Sequence, residues 1–167
     1  MMTKPNWTPC DYNIFGTNRI DLNNPEFPRF DLSVAGTAMS KILRFNGNVP
    51  YGEGSFGAPD LLRHSLFVAW LVENYYSDVI SPVKQNMIRH ALVHDCHELL
   101  TGDLTYPIQA FLLRELGDAF YVSFHGLQKK IDEVIFRNLN LEPLLPIPAA
   151  TLRKLDVFSS LIEARHF

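Results

Sequence analysis

Between residues 94 and 107 the chain reads HDCHELLTGDLTYP, two histidines, three carboxylates and a cysteine in fourteen positions. The apolar Ala91, Leu92 and Val93 lie immediately upstream, so the polar cluster begins inside the half-buried part of a helix. Burying an imidazole beside a carboxylate is costly unless something compensates the charge. A divalent cation would do so. On a helix running to Gly102, His94 and Glu98 are four apart and share a face, with Asp95 one position around. The competing reading is a solvated helix end followed by a turn.

Two other residues interrupt apolar surroundings in the same way. His64 sits amid Leu61, Leu62, Leu66 and Phe67, and Asp156 amid Leu152, Leu155, Val157 and Phe158. Taken singly, the first reads as a hydrogen-bonded core histidine and the second as a partner for Arg153 or Lys154. Taken together, His64, His94, Asp95 and Asp156 supply two imidazoles and two carboxylates. That donor set suits one divalent ion such as Mn²⁺, Co²⁺, Zn²⁺ or Fe²⁺, with Mg²⁺ also open. His90 and His94 have the spacing of a zinc-binding helix, but Ala91 stands where a zinc protease carries its glutamate base. Cys96 and His97 form a rival structural zinc pair. His90, His97, His125 and His166 read as structural or solvent-facing.

The elements that must position these residues are mainly helices. DYNIFGTNRIDL, residues 11–22, alternates apolar and polar around GTN and predicts a small β-hairpin. From Asp31 or Ser33 as N-cap, VAGTAMSKILRF has helical spacing to Phe45. A glycine-rich loop, NGNVPYGEGSFGAP, follows, and its length reads either as functional or as a surface excursion. A helix over about 59–76 places Leu62, Leu66 or Phe67, and Trp70 on an apolar stripe. The next opens with Ser81 as cap and Pro82 at the first position, and closes at Gly102 in a left-handed cap. Another spans Asp118 to about Asn140. A proline-rich link, EPLLPIPAA, leads to a last helix ending in LDVFSSLIEARHF. The expected fold is all-α, one domain over 1–167, a helical bundle with an irregular N-terminal arm.

Composition narrows the function. Apolar residues are 47% and charged residues 20% of 167, which is ordinary globular chemistry rather than disorder. A net charge of −3 offers no long-range attraction to nucleic acid. Two cysteines make no disulfide framework. MMTKPNWTPC has no signal-peptide core, and LFVAWLV is too short to span a bilayer. The expectation is a cytoplasmic protein with no nucleic-acid or membrane partner. Twelve phenylalanines, six tyrosines and two tryptophans also hint at a buried homo-oligomer interface.

The order His64 … His94-Asp95 … Asp156 resembles the HD-domain phosphohydrolase superfamily, an all-α fold whose metal ligands run H…HD…D. HDCHELLTGDLTYPIQAF is similar to a segment of bacterial 5'-deoxynucleotidases, H-D-x-x-E-x-x-T-G-D-x-x-x-P-[VI], through His94, Asp95, Glu98, Thr101, Gly102, Asp103, Pro107 and Ile108. IDLNNPEF…ILRFNG and LDVFSSLIEAR resemble a branch of short phage and bacterial HD hydrolases that includes dATP triphosphohydrolases, host-cytoplasmic where phage-encoded. The likeness covers most of 18–165. It departs from the guanosine-tetraphosphate branch at Leu99, which stands where that branch has aspartate, and it lacks the G-Y-P motif of the cyclic-dinucleotide branch. The resemblance implies a metal held by the four ligands, Glu98 as proton donor, Asp103 as an orienting carboxylate, and Arg44 with Phe45 as a substrate-binding pair. It further implies a deoxynucleotide phosphohydrolase that cuts between O5' and the α-phosphorus. The phage-like ends tilt the substrate toward triphosphates over monophosphates. The rival from another class is a metal- or nucleotide-binding domain without turnover.

Overall fold

A computed structural model describes residues 7–9, 12–17, 19–47, 59–77 and 81–166. The fold is all-α, with one two-stranded antiparallel ladder. By internal contacts the chain forms two compact units, one of residues 1–38 with 96–140, the other of 39–95 with 141–167. No helix among the described residues is long and apolar enough to cross a membrane.

In the first unit, β1 (Trp7–Pro9) pairs with β2 (Arg19–Asp21), Thr8 opposite Ile20. Of the hairpin expected over residues 11–22, only the second strand is found among the described residues, and its partner lies upstream at Trp7–Pro9. Tyr12–Phe15, read from sequence as its first strand, is instead a single helical turn, α1, between the strands. The reason lies in the core: Ile14 and Phe15 are both buried, and a strand would have turned one of them outward. Phe15 packs edge-on against Phe27 at 4.9 Å between ring centroids, with Phe30 at 5.9 Å.

Helix α2 (Leu32–Met39) starts from Asp31, whose Oδ1 accepts from the Val34 amide at 3.2 Å and the Ser33 amide at 3.1 Å. It stops six residues short of the expected Phe45. Leu43 bridges Asp60, Arg44 N–H donates to Pro59 O, and Leu61 N–H donates to Ile42 O, the last two at 2.9 Å. These cross-chain bonds compete successfully with continuation of the helix. They pin residues 42–44 beside 59–61, and Arg44 enters a 3₁₀ turn (Arg44–Gly47). Most of the glycine-rich loop, 48–58, lies outside the described residues.

The second unit is built on three helices, α3 (Leu61–Tyr75), α4 (Pro82–Val93) and α8 (Pro146–His166). Asp60 caps α3 by accepting from the Arg63 amide, and Ser81 caps α4 by accepting from the Lys84 amide. Each cap is worth about 1 kcal/mol. The buried face of α3 is Leu61, His64, Ser65, Val68, Ala69 and Val72. The expected stripe is thus rotated: Leu66 and Trp70 are half exposed at 51% and 57%. Val68, Ala69 and Val72 pack with Met87 and Ala91 of α4 and Leu152 of α8. Helix α8 begins at Pro146, inside the proline-rich link, because proline is tolerated in a first turn whose amides have no intrahelical partner.

The long helix expected through Gly102 is two helices. Helix α4 ends at Val93, residues 94–97 form a turn, and α5 (Glu98–Thr101) is one turn long. His94 and Glu98 therefore do not share one continuous helix. The His94 ring donates from Nδ1 to Ala91 O at 2.8 Å. That carbonyl is the one the Asp95 amide would claim in a continuing helix. Gly102 ends α5 with its amide on Glu98 O. Its φ of 72° is positive as expected, but ψ of 162° makes it extended rather than left-handed helical. Helix α6 (Tyr106–Leu116) has no counterpart among the sequence-predicted elements, and none of its residues is buried. Helix α7 (Asp118–Asn138) matches its predicted span and buries Ile131, Val134 and Ile135.

Candidate metal centre

Three segments of the second unit bring the four predicted ligands together. His64 comes from the buried face of α3, His94 and Asp95 from the turn after α4, and Asp156 from the middle of α8. His64 Nε2 lies 3.0 Å from Asp156 Oδ1 and 3.6 Å from Asp95 Oδ2. His94 Nε2 lies 3.2 Å from Asp95 Oδ2 and 3.5 Å from Asp156 Oδ1. The ligand atoms of His64, His94 and Asp156 all fall within 4.8 Å of one another, close enough to hold one metal ion. Asp156 does not pair with Arg153 or Lys154 here; its partners are the two imidazoles.

Three buried atoms of the site, His94 Nε2, Arg44 Nε and Glu163 Oε2, lie outside hydrogen-bond geometry, the last two facing each other as an ion pair at 3.1 Å. His94 Nε2 is buried, and no group among the described residues meets it in hydrogen-bond geometry, although the two carboxylates are near. Its ring is fixed by the Nδ1 bond to Ala91 O, so Nε2 is the edge that faces the cluster. A cation beside that nitrogen would satisfy it. Charge points the same way. Asp95, Asp156 and Glu163 are three carboxylates against one guanidinium, Arg44, which leaves an excess of two negative charges. A divalent ion matches that excess, and the donor set fits such an ion.

Without a cation the imidazoles take up the imbalance. Burial of His64 opposes its protonation, but Asp156 and Glu163 outweigh it and hold the ring above its ordinary value. His94 is raised further; burial again opposes, and the Asp95 charge and Asp156 prevail. Burial pushes Asp95 upward, yet the neighbouring His94 and then His64 hold it down at about 2. Asp156 is lowered also, its burial outweighed by the bond to His64 and by the closeness of the His94 ring.

Arg44 joins this cluster, but its guanidinium is engaged by protein groups. Nη1 lies 3.3 Å from Asp95 Oδ2, Nε 3.1 Å from Glu163 Oε2, and Nη2 donates to Ser160 Oγ at 2.9 Å. Phe45 adjoins it, with the guanidinium carbon 5.4 Å from the ring centroid, and holds a φ of 55° that is uncommon outside glycine. Glu98 opens α5 and Asp103 follows the Gly102 cap; both belong to the first unit.

Three functional-looking residues escape the sequence reading, Ser159, Ser160 and Glu163. With Asp156 they fall at i, i+3, i+4 and i+7, one face of α8, and that polar stripe within an apolar helix was the available signal. Of the histidines set aside, His90 donates to Glu142 O at 2.8 Å and His97 pairs with Asp132 at 2.9 Å. His125 lies 2.9 Å from Gln128 Oε1, and the side chain of His166 lies outside the described residues. Cys96 is buried and forms no disulfide among the described residues. Compared with models of known protein families the sequence matches none, and comparison with curated proteins likewise gives no match.

Proposed function

We propose that the protein is a metal-dependent deoxynucleotide phosphohydrolase that cleaves between O5' and the α-phosphorus, with deoxynucleoside triphosphates the favoured substrate class. The observation that carries this reading is the grouping of His64, His94 and Asp156 within 4.8 Å, with Asp95 Oδ2 3.2 Å from His94 and 3.6 Å from His64, in the H…HD…D order of the sequence. The two-charge carboxylate excess and the orphaned His94 nitrogen support a divalent cation there. Held by His64, His94, Asp95 and Asp156, such a cation would supply Lewis acidity, lowering the pKa of a water and neutralising charge on phosphoryl oxygens.

The remaining roles belong to the chain's own side chains. Water adds to the α-phosphorus and the bond to O5' breaks. The departing 5'-oxygen needs a proton, and Glu98 supplies it. Asp103 orients water or substrate. Three of the five N–H donors of Arg44 face Asp95, Glu163 and Ser160, and the other two are offered to a phosphate; Phe45 offers its ring to a base or sugar. The products are a deoxynucleoside and either tripolyphosphate or phosphate, depending on the substrate. The same bond is cut in both cases.

The test is chromatographic product analysis with each deoxynucleoside mono- and triphosphate, adding Mn²⁺, Co²⁺ or Mg²⁺ in turn. Deoxynucleoside plus tripolyphosphate is the expected result. Deoxynucleoside from monophosphates alone would make the protein a 5'-deoxynucleotidase. No product from protein shown to hold metal would overturn the hydrolase reading in favour of a binding domain. Glu98→Gln sharpens the distinction, because a catalyst loses about 10²–10⁴ in rate while keeping its metal. Cys96→Ala leaves metal content unchanged unless the rival zinc pair is the true site.

A further inference from the structure

Glu163 is 4% exposed on α8, and no ligand role has been given to it. A buried carboxylate needs partners to offset its desolvation, and the identity of its partners is informative. Oε1 lies 3.0 Å from His64 Nδ1, on the side of the ring opposite the metal cluster. Oε2 lies 3.1 Å from Arg44 Nε, and the same guanidinium reaches Asp95 Oδ2 through Nη1 at 3.3 Å. The carboxylate thus touches one ligand directly and a second through arginine.

Ser159 helps to leave the Nδ1 edge of His64 facing acceptors only. Its hydroxyl donates to the Asp156 carbonyl at 2.8 Å, which uses its only hydrogen. Toward His64 Nδ1, 3.2 Å away, the serine oxygen can therefore only accept. Glu163 as a carboxylate also only accepts. Nδ1 faces two acceptors and must be the N–H edge. Nε2 is left to face Asp156 and Asp95. Arg44 limits the cost of placing a third carboxylate here, since without it the local excess would be three negative charges.

We propose that Glu163 is a positioning residue of the metal centre: with Ser159 it holds His64 in the Nδ1–H form with Nε2 aimed at the cation, and through Arg44 it ties that ring to ligand Asp95. This rests on the metal-site part of the proposed function and not on hydrolysis. A metal-ligating histidine commonly donates its other N–H to a carboxylate, and loss of that partner weakens metal binding about 10–100-fold. If Glu163 served only as the counter-ion of Arg44, its removal would leave the His64 ring and the metal affinity as they were.

The experiment uses the ¹⁵N-labelled full chain and zinc alone. Long-range ¹H–¹⁵N correlation spectra of the imidazoles are expected to show His64 with a protonated Nδ1 and a zinc-bound Nε2. Glu163→Gln keeps an acceptor for Nδ1 and should keep that pattern, with zinc affinity within a few-fold of the parent. Glu163→Ala should lose the single tautomer and about 10–100-fold in zinc affinity by titration. Zinc bound through Nδ1 of the parent would overturn the inference, as would an unchanged tautomer and affinity in folded Glu163→Ala. If the alanine variant fails to fold by circular dichroism, the parent spectrum decides alone. No zinc bound at all overturns the metal centre and this inference together. Metal held through Nε2 without turnover of any deoxynucleotide sinks the hydrolase reading and leaves the inference standing.

Discussion

His64 and His94 present the same ring edge to the cluster for different reasons, a buried carboxylate and serine in one case and a backbone carbonyl three residues back in the other. Both rings sit above the ordinary value of 6.5 in the cation-free chain. A group whose pKa rises on folding contributes stability that is complete below its unfolded value. That contribution is lost as pH rises through the folded value. Asp95 works in the opposite direction: held at about 2 from 3.8, it contributes above 3.8 and is lost as pH falls through 2. Chelator-treated protein should therefore melt at its highest temperature between about pH 4 and 6.5, and at lower temperatures on the alkaline side. Thermal melts followed by circular dichroism across that range check this. A midpoint that climbed steadily from pH 6.5 to 8.5 would contradict the raised histidines.

At the scale of elements, the break between α4 and α5 controls how the HD dipeptide is displayed. An uninterrupted helix would place His94 and Asp95 about 100° apart around one axis. In the turn, both bring a side-chain atom within 3.6 Å of His64 or Asp156. Gly102 then closes α5 with φ 72° and ψ 162°, a region open almost only to glycine. A Cβ there would meet nothing within 4 Å, so a substitution costs backbone strain and not a clash. Gly102→Ala should destabilise by about 1–3 kcal/mol in a denaturant titration. An unchanged midpoint would mean that the turn relaxes without cost.

At the scale of the whole molecule, an ion held by His64, His94 and Asp156 would staple three distant stretches of chain within one compact unit. A ligand that binds only the folded state stabilises it by mass action, about 2.7 kcal/mol at a hundred times its dissociation constant. Mn²⁺ or Co²⁺ should raise the melting temperature of the chain, and a chelator should reverse the rise. Asp156→Asn should abolish the metal-dependent part, since it removes one of two ligand carboxylates and the bond from His64. A metal-induced shift of full size in that variant would place the ion elsewhere.

Much of this was legible in the residues themselves. Helical periodicity, Ser81 with Pro82, and the buried-type residues around His64 and Asp156 identified helices and the four ligand candidates, because caps and apolar spacing are local properties of the chain. Helix ends were less legible. Helix α2 stops where Leu43 bridges Asp60, and α4 stops where the His94 ring claims a carbonyl; neither partner can be ranked against a helix bond from local sequence. Helix α6 was legible but missed: Ile108, Phe111, Leu112 and Leu116 fall at i, i+3, i+4 and i+8, with Pro107 in the first turn, and only their exposure in the fold was beyond the sequence. What the sequence by itself determined was which residue types could hold a cation and which helices would carry them. Only the tertiary structure decided that Glu163, ninety-nine positions from His64, backs its ring, and that Arg44 is gripped by carboxylates. The physical reason is range: propensity and periodicity act over a few residues, whereas a buried charge is balanced by whatever the fold packs against it.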